Sequence, residues 1–186
     1  TNADLMSELQ LLNDQLIKTS GLLSRIFSVQ YYDTHSVNLF REIVSFPQFI
    51  EHEIELVAHV HDTIYFETII GNEVGFVEID KIQFQQVLNN LLDNAIKFLK
   101  DIEDPHIRLQ VSGNNNILEL TIEDNGKGFE WIDPHYVFDK YRIGKKENAW
   151  LGMGLYLCKK IVEMHHGTIS AALSDELWGA KFTISI

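Results

Sequence analysis

Asn90 and Asn94 stand four residues apart in a stretch whose apolar positions, Ile82, Val87, Leu88, Leu91, Leu92, Ala95, Ile96 and Leu99, form one broad helical face. On a helix the two amides project from the same side, with Lys97 three residues beyond Asn94. Amide oxygens are hard ligands suited to Mg2+, an ion that keeps water and takes phosphate oxygens as well. A lysine ammonium meets a phosphate as a point charge. Further on, Asp124-Asn125-Gly126-Lys127-Gly128 follows an alternating apolar run. A carboxylate at a strand end can accept a hydrogen bond from the exocyclic amine of adenine, and glycines let the backbone approach a flat base. The same residue types also make ordinary turns. Gly152-Met153-Gly154-Leu155 reads as a turn opening a helix, where free backbone N–H groups face an anion. It is neither a dinucleotide-binding fingerprint nor a Walker A loop, since a third glycine and a Gly-Lys-Ser/Thr are both missing. Between these motifs Lys140, Arg142, Lys145 and Lys146 cluster around Gly144. A lid closing on a triphosphate needs such charges, and a solvated loop carries them too.

The elements that must position these groups are legible in outline. Leu5, Leu9, Leu12, Leu16, Leu23 and Ile26 recur at spacings of four and three, with Thr19 in the one vacant slot, a coiled-coil-like stripe on a first helix. A polar break at Asp33–Ser36 precedes an expected short helix with Val37, Phe40, Ile43 and Val44 inward, ended by Pro47. Residues 54–60 read as a strand, with His59 on it and His61 alternating just past its end, and 64–70 and 74–79 as further strands. Asp80 is placed to cap the helix that bears Asn90 and Asn94. Residues 107–111 and 117–122 alternate with a period of two and form a hairpin around Gly113–Asn116. Residues 155–164 read as a helix closed by Gly167, with His165 and His166 favoured there by the helix dipole. A last hairpin joins 168–173 to 181–186. Antiparallel strand pairs with helices between them predict an α+β fold, a two-layer α/β sandwich in which one mixed, mainly antiparallel sheet carries its helices on one face.

Bulk properties narrow the function. The 186 residues carry a formal charge of -12. Such a surface repels nucleic acid and anionic membranes, so a bound polyanion requires a local basic cluster. The single cysteine, Cys158, allows no intrachain disulfide. No apolar run reaches the ~20 residues of a membrane-spanning helix.

Order and spacing of the motifs point to a family. Residues 86–98, with Asn90 and Asn94, resemble the N box of sensor histidine kinases. Residues 124–129 are similar to their G1 box, 137–141 to the F box and 152–157 to the G2 box, followed by His166-Gly167-Thr168-Ile169. The chain thus resembles the Bergerat-fold (GHKL) superfamily, histidine-kinase branch, over residues 37–186. The resemblance implies ATP and Mg2+ as cofactors. Asn94, assisted by Asn90, would hold Mg2+, and Lys97 would approach the phosphates. Phe98 would lie against the adenine or ribose. Asp124 would accept from the adenine amine, with Gly126 and Gly128 shaping that wall. Gly152, Gly154 and Leu155 would form the lid hinge and phosphate turn, and Lys140 and Arg142 the lid cations. Residues 1–32 resemble part of the dimerisation and phosphoacceptor hairpin. The implied partners are an acceptor helix on a missing segment or another chain, a response regulator, and a second copy of the parent protein. The implied location is cytoplasmic, under a parent that can be membrane-anchored.

One position separates the branches. Hydrolytic relatives (gyrase-like, chaperone-like, mismatch-repair-like) place a water-activating glutamate one turn before the metal-binding asparagine, where this chain has Asn90. An amide is no general base at neutral pH. The reading is therefore phosphoryl transfer to a histidine, with a non-catalytic nucleotide-binding adaptor as the alternative. No acceptor pattern is present, since His61-Asp62 falls in strand-like sequence, and Tyr156 stands in place of a further glycine.

Overall fold

The computed structural model describes residues 38–114, 117–129, 133–139 and 151–186, all within one compact unit, Asn38–Ile186. The leucine stripe and Val37 lie outside the described residues, as do Asn115, Asn116, Lys140, Arg142, Gly144, Lys145 and Lys146. The described chain begins with strand β1 (Glu42–Ser45) and helix α1 (Phe46–Val60). This reverses two expectations, a helix before Pro47 and a strand at 54–60. Pro47 sits in the first turn of α1, where its missing N–H has no helical partner to lose. Phe46, Phe49, Ile50, Glu53 and Ile54 supply a buried 3.6-period stripe. Of the described residues expected inward before Pro47, only Val44 is buried, while Phe40 is 85% and Ile43 76% exposed. His59 ends up in the last turn of α1, and His61 caps it through its backbone N–H to Val57 O at 3.1 Å.

Strands β2 (Tyr65–Ile70) and β3 (Phe76–Ile79) follow, then helix α2 (Lys81–Phe98). The hairpin of β4 (His106–Asn114) and β5 (Ile117–Asp124) leads through a 3-10 turn, Pro134–Tyr136, to helix α3 (Leu151–Met164) and the hairpin of β6 (Thr168–Leu173) and β7 (Ala180–Ser185). Instead of one sheet, the described residues form two. β1 pairs with β3 alone, and the main sheet has the order β2-β4-β5-β7-β6. Only β2 and β4 are parallel in the main sheet, so it is mixed and mainly antiparallel.

One face of that sheet is apolar and lies under the helices. Ile107, Leu109, Val111, Leu120, Ile122 and Ile184 on that face, Leu88, Leu91 and Leu92 of α2, and Leu157 and Ile161 of α3 are all almost fully buried. Phe84 extends this core toward α1 with edge contacts to Phe46 and Phe49. The opposite face carries a row of alternating charge. Glu67, Arg108, Glu123 and Lys181 are consecutive cross-strand partners on β2, β4, β5 and β7. Arg108 Nε donates to Glu67 at 2.7 Å and Lys181 Nζ reaches Glu123 at 2.9 Å. Opposite charges across strands support pairing register at modest energy.

Asp80 caps α2 as expected. Its Oδ1 accepts from Gln83 N at 3.1 Å, and its Oδ2 accepts from Phe40 N at 2.9 Å. Asp80→Ala removes both acceptors, and a drop of about 1–2 kcal/mol in urea-unfolding free energy is expected. An unchanged urea midpoint would show that the cap is dispensable. Helix α3 does not close on Gly167. His166 takes the left-handed conformation (φ 61°), with His166 N bonded to Glu163 O and Gly167 N to Val162 O. Gly167 serves another purpose, since a Cβ there would lie 2.4 Å from Ser185 O.

Candidate functional site

Asp124 ends β5 on the helix-covered face of the sheet and is 2% exposed. Two backbone N–H groups converge on its Oδ1, from Gly126 at 2.9 Å and Ala180 at 3.2 Å. Burial pushes this carboxyl above the usual aspartate range, and the two N–H groups pull part of the way back. With Oδ1 engaged twice, Oδ2 is the oxygen left to receive a donor. Asn125 pins the loop to the start of β4, where its Oδ1 accepts from His106 N at 2.8 Å and its Nδ2 donates to Asp104 O at 2.9 Å.

Two glycines let separate backbones close around this carboxylate, and a third, Gly128, stands beside them. A Cβ on Gly126 would lie 2.8 Å from Asp124 Oδ1 and 3.0 Å from Phe98 O, so the G1 loop abuts the end of α2. Gly128 has φ +60° and packs against Leu173. A Cβ on Gly179 would come within 2.2 Å of Asp124 O and 2.4 Å of its Oδ1. Gly179 and Ala180 were invisible to sequence reading as anything but a hairpin turn. They reach Asp124 across 56 residues, through the register that pairs β5 with β7.

The remaining candidates line α2. Phe98, its last residue, is 39% exposed, and the neighbouring Lys97 Nζ lies 6.0 Å from its ring. Asn94, one turn back, is half-buried. Asn90, another turn back, is buried between helices. Its Nδ2 donates to Gln86 O at 2.9 Å, and its Oδ1 faces Gly154, where an added Cβ would sit 3.0 Å away. From Phe98 to Asn90 the helix rises about 12 Å. Asp124 with Gly126 and Gly179 thus stands by the C-terminal end of α2 and Gly154 faces it about two turns back, with Asn94 and Lys97 between along the helix.

One local expectation changes. Gly152-Met153-Gly154 is not a turn before the helix but the first turn of α3 itself, and Met153 is buried. First-turn N–H groups have no partner within a helix, so their suitability for an anion survives the change. Leu155 follows, half-buried. Tyr156 lies within α3 with Lys160 Nζ 5.6 Å from its ring, not at a loop hinge. Lys140 and Arg142 lie outside the described residues. Phe129 and Phe138, which precede that basic segment, both set an edge against Phe182 of β7, at 5.8 and 6.2 Å between ring centres. Among the described residues no cluster of three or more His, Cys, Asp or Glu side chains could hold a metal. No described helix is long and apolar enough to cross a membrane.

Comparison with known proteins gives these features a setting. Residues 79–186 match the family described as histidine kinase-, DNA gyrase B- and HSP90-like ATPases. The alginate biosynthesis sensor protein KinB of Pseudomonas aeruginosa is 32% identical over 114 residues, 61% of this chain and 18% of its own length. The curated relatives are longer throughout, and the chain spans less than half of each of the most similar ones. Histidine kinase AdeS of Acinetobacter baumannii shares the fold, with a TM-score of 0.76 at 22% identity, over 96% of this chain and 82% of that one. So does histidine kinase ThkA, solved in complex with the response regulator protein TrrA, with a TM-score of 0.71 at 20% identity over 95% and 49% of the two chains.

Proposed function

The chain belongs to the histidine kinase-, DNA gyrase B- and HSP90-like ATPase family, and from that premise we propose that it is the ATP-binding catalytic part of a sensor histidine kinase. In this reading it passes the γ-phosphoryl group of ATP to a histidine on a phosphoacceptor helix. The observation that carries the nucleotide assignment is the carboxylate of Asp124, buried at a strand end with Oδ1 held by two N–H groups and Oδ2 left for a ligand. An ionised oxygen in that position accepts from the 6-amino group of adenine. Phe98 and the glycine-lined wall flank the base.

The phosphates then run along α2 toward Gly154. Asn94 and Asn90 supply amide oxygens for Mg2+, an ion that draws its other ligands from phosphate and water. Bound there, the ion would neutralise charge on the transferring group. Lys97 and the first-turn N–H groups of α3 orient the phosphates, and Lys140 and Arg142 are assigned to the lid. Phosphoryl transfer requires positioning and charge neutralisation more than covalent chemistry from the protein. Asn90, tied to Gln86 O, cannot take a proton from water, which favours transfer over hydrolysis. We assign residues 1–32 to part of a dimerisation and phosphoacceptor hairpin and 37–186 to the catalytic domain. A response regulator, as in the ThkA complex, is the implied acceptor downstream, and the domain is assigned to the cytoplasm.

The test is nucleotide binding with and without Mg2+, for the chain and for Asp124→Ala, followed by transfer of labelled phosphate to a separately supplied acceptor hairpin. Binding that strengthens with Mg2+, is lost in the variant and yields label on the hairpin is the expected result. No label is expected on the chain alone. His61-Asp62, the pair weighed as an acceptor in the sequence, sits at the end of α1 and not on a helix face. Unchanged affinity in Asp124→Ala would overturn the site. Binding without transfer would leave an adaptor.

A further inference from the structure

His165 is a buried titratable group that the nucleotide groove does not use. It follows the last residue of α3 and is 8% exposed. Its Nδ1 lies 2.8 Å from Ile161 O, and its Nε2 lies 3.0 Å from Asp80 N. A backbone N–H can only donate and a carbonyl can only accept. The two contacts together therefore fix a single form of the ring, with Nδ1 protonated and donating and Nε2 bare and accepting. The ring edge also packs against Phe84.

The bond to Asp80 joins more than two residues. Asp80 caps α2 through Oδ1 and holds Phe40 N through Oδ2. The next residue, Arg41, donates from Nη2 to Met164 O at the end of α3. The end of α3, the start of α2 and the segment leading into β1 therefore meet around one imidazole. A crevice of about 520 Å3, bounded by Glu73–Ile79 on one side and by Ile117, Leu118 and Ile186 on another, opens onto it.

We propose that His165 is an acid-sensitive latch between α2 and α3. A proton added at Nε2 turns the acceptor into a donor facing the donor of Asp80, and the tie between the helices is lost. The groups facing the ring decide where this happens. Burial is the largest influence and holds the imidazole below its ordinary value; the charges of Arg41 and His166 act in the same direction, while the Ile161 carbonyl and the Asp80 carboxylate oppose them. Glu73 and Glu78, which line the crevice, are the other acidic groups on that side.

The sign follows from linkage. The unfolded chain binds this proton more readily than the folded one. The contribution of the latch is complete above the unfolded value of about 6.5 and falls away as pH drops toward the lower folded value. Because α2 and α3 also face each other at Asn90 and Gly154, the latch bears on the phosphate end of the groove. That clause alone rests on the proposed nucleotide reading.

Urea unfolding from pH 8 to pH 5 tests the latch. The wild-type midpoint is expected to fall below about pH 6.5, with a clearly flatter profile in His165→Gln, whose amide can still accept from Asp80 without titrating. Equal pH slopes in the two proteins would overturn the proposal. A second measurement stands if the variant fails to fold. Nitrogen NMR of the wild-type imidazoles should show the His165 ring with bare Nε2 at neutral pH and a titration below the ordinary imidazole value. A His165 ring that titrates at or above that value would also overturn it. A wild type that binds no nucleotide at neutral pH would sink the nucleotide reading and leave the latch intact.

Discussion

Asp124→Asn is expected to weaken binding of adenine nucleotides by about 30- to 1,000-fold while leaving the domain folded and, near neutral pH, more stable. Both halves follow from the same carboxyl. The oxygen of the introduced amide would keep the N–H groups of Gly126 and Ala180, which turns its NH2 toward the base. Donor would then face the donor of the 6-amino group. A lost charge-assisted hydrogen bond together with that mismatch amounts to about 2–4 kcal/mol. The stability gain comes from burial. A carboxyl whose folded value is raised favours the fold fully only below its unfolded value, near 3.9, and that contribution is lost as pH rises through the raised folded value. At pH 7 the ionised group is therefore a cost that the amide lacks. Calorimetric titration with ATP, and with ITP, whose ring carries an acceptor in place of the amine, separates the outcomes. The variant should lose preference for ATP and move toward ITP. Equal losses for both nucleotides would mean that Asp124 does not read the amine.

Gly179→Ala should be the second most damaging substitution. The new methyl would meet backbone atoms, Asp124 O at 2.2 Å and Gly126 N at 2.6 Å, which no side-chain rotation can relieve. Overpacking of this kind costs about 1–3 kcal/mol, and the shift takes Ala180 N off the carboxylate. Gly75→Ala is the matched control, because a Cβ there meets nothing within 4 Å. Urea unfolding and nucleotide titration should show a loss in both properties for the first variant. The control should stay within about 0.5 kcal/mol of wild type. Equal behaviour of the two would remove Gly179 from the site.

Local pattern served best where a single segment decides the outcome. The cap at Asp80, the amphipathic α2 and the two hairpins are each specified by neighbours within a few residues, and they fold as read. The stretch from Asn38 to Val60 misled in both directions, since the segment before Pro47, read as a helix, pairs as β1, and 54–60, read as a strand, ends a helix whose Phe46, Phe49, Ile50 and Ile54 are buried along one stripe. Leu56 and Val60 face solvent on α1, where the β-branched character of Val60 has no sheet to serve. Pro47 was read as a stop although a proline in the first turn is a start. Asn90, Asn94 and Asp124 were legible as polar side chains at informative spacings. The wall contributed by Gly179 and Ala180 was not, because its meaning depends on which strands pair. The latch at His165 was hidden for a different reason. A helix-end histidine suggests a charge favoured by the dipole, whereas burial against Phe84 and Asp80 keeps this one neutral.

The position of β7 has a temporal consequence. It is last in sequence among the strands yet lies inside the sheet, between β5 and β6, and it delivers the N–H that orients Asp124. While a ribosome is still making the chain, helix α2 and the β4–β5 hairpin can already exist, but the N–H that β7 gives to Asp124 cannot. If Asp124 reads adenine as proposed, a nascent or partly unravelled molecule would gain nothing from ATP, whereas one with β7 in place would gain about 2.7 kcal/mol when free nucleotide stands at roughly 100 times its dissociation constant. Nucleotide would then reward completion of the sheet and penalise its fraying.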